Sequence, residues 1–165
     1  MAYIGLISDT HGVFDDKLRK FLEPVDEIWH AGDFGNLETA DAIAAFKPLR
    51  GVYGNCDDHN VRLAHPYTQF FELEGMRILM MHIGGYPGRY DFKAFQLINA
   101  HLPDIFICGH SHILKVINDT KYRVLTINPG AAGIQGFHNV RTALRFRIEN
   151  GTIKDMEVGE WERKL

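Results

Sequence analysis

The stretch Tyr3-Ile4-Gly5-Leu6-Ile7-Ser8-Asp9-Thr10-His11 decides how this chain is read. A short apolar run of strand length ends on a carboxylate and, two residues later, an imidazole. The same event recurs down the chain. Apolar runs lead into Gly32-Asp33, Gly54-Asn55, His82 and Gly109-His110-Ser111-His112. These five clusters supply two carboxylates (Asp9, Asp33), one amide (Asn55) and four imidazoles (His11, His82, His110, His112). That donor set suits a pair of borderline divalent metals. A strand that ends in a ligand is an economical way to bring distant positions to one point.

Taken singly, each cluster has a plainer explanation. Asp-x-His also reads as a strand end with a capping carboxylate, and Gly-Asp and Gly-Asn also read as turns. His82 alone also reads as a satisfied core or rim histidine. Gly-His-Ser-His is harder to dismiss, because two imidazoles two residues apart after a buried strand need partners. Five such accidents in one chain are not a serious alternative. The charge balance agrees: two divalent ions bring four positive charges, and the two aspartates remove two. The remainder suits a hydroxide and a phosphodiester monoanion. The lack of thiolates in the set argues against a structural zinc site.

Outward from the motifs, residues 3–8, 26–31 and a short segment led by Val52 read as strands. Helices over 15–22 and after the N-cap Asn36 separate them. This βαβαβ order implies parallel strands with crossover helices. The second part is richer in strands. Thr68–Leu73 and Met76–His82 flank the turn Glu74-Gly75, and Asp91 caps a helix that Pro103 ends. Asp104–Cys108 is an apolar strand, followed by strands near 114–118, 122–127, 141–148 and, after Asn150-Gly151, 152–158. The expectation is an α/β protein: two sheets packed face to face, flanked by helices, in one domain over residues 1–165. Ligands in α/β arrangements gather at the carboxyl ends of strands.

Composition sets the outer limits. With 165 residues, 45% hydrophobic and 24% charged, the chain is long enough to bury a core and does not resemble a disordered one. A net charge of -3 argues against stable nucleic-acid binding. The two cysteines, Cys56 and Cys108, form no disulfide framework. No apolar run reaches the ~20 residues of a membrane span, and the N-terminus enters a strand without a basic leader. The expected location is the cytoplasm.

The order Asp-x-His, Gly-Asp, Gly-Asn, His, Gly-His-x-His resembles the calcineurin-like metallophosphoesterase superfamily. The chain's size and Gly54-Asn55-Cys56-Asp57 resemble its small prokaryotic phosphodiesterases. The resemblance spans residues 5 to about 133 and implies a two-sheet β-sandwich flanked by helices. It implies one metal held by Asp9, His11, Asp33 and His112, and another by Asp33, Asn55, His82 and His110, with Asp33 bridging. Manganese is expected first, with nickel, iron, cobalt or zinc as alternatives. The implied chemistry is hydrolysis of a small phosphodiester by a water bridging two ions, in line at phosphorus. Relatives of this size suggest a homodimer or homotetramer, for which the Phe70-Phe71 and Met80-Met81 pairs offer apolar surface if either strand is exposed.

The chain departs from the family pattern in several places. Relatives often carry histidine after Gly-Asn, where it assists the leaving group or positions substrate; here Cys56 stands, a neutral and weak donor. His59, three residues on in a polar loop, is the candidate substitute. Relatives also often show His-Gly where this chain has His82-Ile83-Gly84, and Ala131 follows Asn128-Pro129-Gly130 where a small hydroxyl is common. The candidate catalytic residues are thus Asp33, Asn55 and His59. Asn55, Cys56 and Arg89 are the candidates for substrate binding, with Arg89 in a loop Tyr86–Tyr90 that reads equally as a substrate wall or as ordinary packing. His30 reads as a second-layer or packing residue, and His65, His101 and His138 as surface or loop histidines. Phe34 and Phe137 are weaker candidates for the pocket wall. Alternatives to a phosphodiesterase are a phosphomonoesterase and a non-catalytic scaffold, since a retromer subunit shares the fold with an altered site. The complete ligand set favours an enzyme.

Overall fold

A computed structural model describes residues 1–165. Along the chain lie β1 (Ala2–Ile7), α1 (Asp16–Leu22), β2 (Glu27–His30), α2 (Leu37–Phe46), β3 (Leu49–Gly51) and α3 (His59–Ala64). There follow β4 (Thr68–Leu73), β5 (Met76–Met81), β6 (Gly85–Tyr86), β7 (Arg89–Tyr90), α4 (Phe92–His101) and β8 (Ile105–Ile107). The chain closes with β9 (Leu114–Asp119), β10 (Val124–Pro129), β11 (Val140–Glu149) and β12 (Thr152–Glu162). Two five-stranded sheets form, in the orders β12-β11-β1-β2-β3 and β4-β5-β8-β10-β9. No helix is long and apolar enough to cross a membrane.

Strand periodicity explains the layering. In β1, Ile4 and Leu6 face one way and Tyr3 and Ile7 the other, because successive side chains alternate across a sheet. Ile4 and Leu6 join Trp29, Ile78, Met80, Ile105, Ile107 and Phe146 in the core between the sheets. Tyr3 and Ile7 pack outward with Leu18 and Leu22 of α1 and Ala40 and Ile43 of α2. On the far side, Leu79, Met81, Phe106 and Cys108 meet Ala94 and Ile98 of α4. Trp29 anchors the central layer, edge-on to Phe71 at 5.2 Å and to Phe146 at 5.9 Å. Burial of one such aromatic contributes about 2–3 kcal/mol.

The helices start where their sequences say they should. The Asp15 carboxylate accepts from Leu18 N–H, Asn36 Oδ1 accepts from Thr39 N–H at 2.7 Å, and Asp91 accepts from Lys93 N–H. Helix α4 stops at Leu102, in left-handed conformation before Pro103.

Strands β1, β2 and β3 run parallel, as do β5 and β8. Asp9, Asp33, Asn55, His82 and His110 therefore all follow the carboxyl end of a parallel strand, where α/β sheets place their ligands.

Three expectations need correction. The polar loop around His59 is the short helix α3, capped by Asp58 and burying only Val61. The loop after His82 contains a two-residue hairpin, with Gly85 opposite Tyr90 and Tyr86 opposite Arg89. Met80 and Met81 are fully buried and Phe71 packs on the core, which leaves Phe70 as the exposed member of the two apolar pairs. Both faces of β5 are covered, one by the core between the sheets and the other by α4.

Candidate metal centre

Each aspartate at the centre is tied to the protein by one oxygen and presents the other. Asp9 Oδ2 accepts from Ser8 Oγ at 2.6 Å and from His110 N–H at 3.1 Å. Its Oδ1 faces His112 Nε2 at 3.1 Å and the Nε2 atoms of His11 and His82, each at 3.8 Å. Asp33 Oδ1 accepts from Cys56 N–H at 2.9 Å, and its Oδ2 faces His82 Nε2 at 3.1 Å and His11 Nε2 at 3.6 Å. Asp9 and Asp33 thus both stand within 4 Å of both His11 and His82.

Two clusters result, Asp9–His11–His112 and Asp33–His82–His110, in each of which the donor atoms lie within 4.8 Å of one another. Asn55 belongs to neither, but its Oδ1 is 3.0 Å from His110 Nδ1.

The loops that carry these groups are bonded to each other rather than left free. Asp9 N–H donates to Gly32 O, His11 N–H to Asp33 O and Gly12 N–H to Phe34 O, at 2.9, 3.1 and 2.8 Å. Their backbones are held in an unusual conformation. Asp9, His11, Asp33, His110 and His112 all have φ between 44° and 70°. That left-handed region costs a non-glycine residue about 1 kcal/mol or more. Strain of this kind persists only where surrounding bonds over-determine it. The neighbouring glycines are required by close approach: a Cβ on Gly54 would collide with Asp33 Oδ1, and one on Gly109 with Ser8 Oγ.

Two imidazoles have their tautomers set by partners outside the clusters. His82 Nδ1–H donates to Ala31 O at 2.7 Å, which leaves the lone pair of Nε2 pointing inward. That Nε2 is buried and makes no hydrogen bond, although Asp33 Oδ2 is 3.1 Å away. His138 Nε2–H donates to Gly133 O at 2.9 Å, so its Nδ1 accepts from His112 Nδ1–H at 3.2 Å. His112 Nε2 is thereby also left with its lone pair towards Asp9 Oδ1. In both pairs two electron-rich atoms face each other across about 3 Å, an arrangement that a cation between them makes favourable. All donors are nitrogen or oxygen. The residues fit divalent metal.

The electrostatics agree. Burial would raise the Asp9 carboxyl, but the adjacent imidazoles of His11, His112 and His82 and the hydrogen bond from Ser8 hold it well below its usual range. Burial likewise opposes ionisation of Asp33, and His82 and the Cys56 N–H reverse that effect. His11 is raised by the nearby carboxylates of Asp9 and Asp33, against burial. Burial lowers His82, but Asp33 and Asp9 outweigh it and its affinity for a proton rises. The field that favours a proton there favours a metal cation too.

Beneath the centre, His30 is fully buried and neutral, with burial pushing it down to about 3. Its Nδ1 accepts from Gly32 N–H at 3.0 Å, and its Nε2 lies 2.9 Å from Thr10 Oγ1, which donates to Phe34 O at 3.0 Å. Its ring stacks on Phe34 at 3.7 Å, and Phe34 stacks on His65 at 4.7 Å. Phe34 is therefore floor rather than pocket wall, and Phe137 is fully exposed.

Two contributors were not singled out from the sequence. Asp57 Oδ2 accepts from Asp33 N–H at 2.9 Å and Gly54 N–H at 2.8 Å, and its Oδ1 accepts from Gly35 N–H at 3.1 Å. It clamps the Asp33 loop to the Asn55 loop. His138, read as a surface or loop histidine, is the partner of His112. The signal for Asp57 was present, since a carboxylate two residues after Asn55 sits in the motif itself. Nothing local marks His138.

The remaining candidates lie at the edge. Cys56 is exposed, with Sγ 3.6 Å from Asn55 Nδ2, and burial and Asp33 raise its thiol, which keeps it protonated. His59 is the exposed first residue of α3 and is in neither cluster. Arg89 lines a cavity of about 450 Å³ that also reaches His110.

Comparison with known proteins agrees with this architecture. Residues 3–151 match the calcineurin-like phosphoesterase superfamily domain. A probable metallophosphoesterase of Mycoplasma pneumoniae is 30% identical over 163 residues, covering 94% of this chain and 96% of that protein. Among solved structures, Chaetomium thermophilum Vps29 has a TM-score of 0.75 at 17% identity, covering 100% of this chain and 97% of that one. A structure described as a novel archaeal phosphodiesterase has a TM-score of 0.69 at 21% identity, covering 95% and 99%. The chain belongs to the calcineurin-like phosphoesterase superfamily.

Proposed function

We propose that this protein is a dinuclear metal-dependent phosphodiesterase acting on small diesters. The observation that carries the reading is the pair of carboxylate–imidazole clusters placed side by side, with Asp33 Oδ2 facing the unpartnered Nε2 of His82 and, 3.6 Å away, Nε2 of His11. Asp9, His11 and His112, with Asp33, would hold one ion; Asp33, His82, His110 and Asn55 would hold the other. Manganese is our first expectation. Two such ions would supply Lewis-acid neutralisation of the phosphoryl oxygens and an acidified water.

The chain's own residues do the rest. Asp33 sets the spacing of the halves, because Cys56 N–H and Asp57 fix its carboxylate and backbone. The neutral floor of His30 and Phe34 excludes water beneath the ligands. Asn55 and His110 stand on the exposed side, where a phosphoryl group would enter. Neither Cys56 nor His59 is placed to deliver a proton through a bond formed in this structure. The reaction would therefore favour leaving groups that depart as anions, and a diester of an acidic alcohol is such a substrate. The archaeal phosphodiesterase of similar fold supports this choice over a monoesterase.

The test pairs metal analysis with turnover. Chelated protein reconstituted with manganese should hold two ions per chain, and should hydrolyse an aryl diester faster than the matching aryl monoester. One ion at saturation, or a monoester preference, would refute the proposal.

A further inference from the structure

The cavity of about 450 Å³ beside the clusters is walled by the β6–β7 hairpin, by His110 and by Lys115 of β9. Lys115 lies opposite Asn128, whose Nδ2 bonds Gly109 O at 2.9 Å and Ser111 Oγ at 3.0 Å. It is therefore next to the strand that braces the His110 loop. Its Nζ sits over the Tyr86 ring, 3.5 Å from the centroid. Arg89, opposite Tyr86 in the hairpin, supplies a second cation to the same wall. Neither Lys115 nor Arg89 is in an ion pair within the chain. The one carboxylate on the cavity wall, Asp91, is occupied in capping α4.

Two unpaired cations around one concavity, in a protein of net charge -3, constitute a local electrostatic preference for an anion. The scissile phosphoryl group does not need them, since the clusters already face it. Nor does the cavity suit a stacked nucleobase, because a ring face of Tyr86 is covered by the Lys115 ammonium.

We infer that this cavity seats a second anionic group of the substrate, a phosphate or carboxylate carried on one of the ester alcohols. The inference rests on the phosphodiesterase reading for the position of the scissile group. It adds that the natural substrate is a diester with a further negative charge one linkage away, and that Lys115 with Arg89 selects it. The Lys115 ammonium, seated over the Tyr86 ring, is positioned before substrate arrives, so less freedom is lost on binding.

Binding and turnover should be measured separately. Three non-hydrolysable phosphonate analogues of a small diester, ending in a phosphate, a carboxylate or a hydroxyl, are titrated calorimetrically into the protein with and without manganese. The charged analogues should bind tighter than the hydroxyl one by about tenfold or more, the value of a charge-assisted contact. Whichever of the two binds tighter identifies the anion. Lys115→Met should shrink that discrimination by about tenfold, and Arg89→Gln should shrink it too. Equal binding of all three, or discrimination unmoved in both variants, overturns the inference. Turnover of a plain aryl diester is followed in parallel. Discrimination without any turnover would keep the anion subsite and remove the diesterase reading, whereas turnover without discrimination would do the reverse.

Discussion

The two halves of the centre use one device and differ in how far they are enclosed. Around Asp9, the carboxylate is fully buried, His112 is held by His138, and the loop carrying His11 is bonded to the loop of Asp33. Around Asp33, one flank is equally firm, with His82 fixed on Ala31 O and Asp57 clamping the backbone. The other flank is open: Asn55 and His110 are exposed, their side chains 3.0 Å apart, and His110 lines the cavity of Lys115 and Arg89. The difference teaches where preorganisation stops. The Asp9 half is held by bonds within the protein, and the Asp33 half leaves one side open to solvent. The enclosed half should therefore load first in a metal titration, and calorimetry showing simultaneous or reversed loading would break the comparison.

Asp33→Asn tests the residue proposed above to hold both ions. Its Oδ2 stands near both His82 and His11, so losing the charge removes the spacing and half of the site's negative charge at once. We expect turnover to fall about 10³-fold or more with manganese in excess, against about 10- to 100-fold for His112→Ala, where water can replace one imidazole. Steady-state kinetics on an aryl diester decide the order, and equal losses would mean that Asp33 is an ordinary terminal ligand.

His30 lies beneath both halves, bonded to Thr10 on one side and Gly32 on the other. Burial pushes it down to about 3 from an ordinary value of 6.5. The unfolded chain binds a proton below pH 6.5 that the folded chain refuses, so this residue's contribution to stability falls as pH drops from 6.5 towards 3. The folding equilibrium should lose up to about a factor of ten per pH unit in that window. Urea midpoints of chelated protein at pH 7.5, 6 and 5, compared with His30→Asn, isolate the term. Parallel curves for the two proteins would show that His30 charges freely in the fold.

Only the Asp9 half has an imidazole braced by another imidazole. His138→Phe should weaken the first ion by about tenfold and leave the second nearly untouched, as loss of a supporting hydrogen bond usually does. Should both ions weaken alike in competition with a chelator, the substitution has disturbed the loop rather than the tautomer of His112.

The smallest effect is expected on the open flank. Cys56→His places an imidazole beside Asn55 and should raise turnover of alkyl esters several-fold while changing aryl esters little, because only the former need a proton on departure. If the dependence on leaving-group acidity is already shallow in the native protein and the substitution leaves it so, Cys56 is not what limits it. His59→Ala then tells whether that exposed residue of α3 had been substituting.

Much of this was legible from the chain because four of the five ligand clusters lie within a few residues of the end of an apolar strand. The exception is β3, Leu49-Arg50-Gly51, which ends before Val52, where a strand is expected to begin. Alternation in β1 and β5 sets which core each side chain joins, and the parallel order of β1, β2 and β3 puts Asp9, Asp33 and Asn55 at one end. Helix α3 was missed because six residues with one buried side chain carry no periodic signal. The β6–β7 hairpin was missed because two-residue strands have no alternation to detect.

By itself the sequence determined the layers, the succession of strands along the chain and the kinds of donor atom, since these follow from burial and from residue chemistry along short stretches. Tertiary structure decided which lone pair points where. The bond from His138 to His112 joins residues 26 apart, and that from Asp33 N–H to Asp57 joins residues 24 apart. The left-handed backbone of Asp9, His11, Asp33, His110 and His112 is likewise imposed from outside each motif. Local sequence disfavours that conformation, and only bonds between distant loops hold it. The same holds for the cavity of Lys115 and Arg89, whose cations meet only once the β6–β7 hairpin folds against β9.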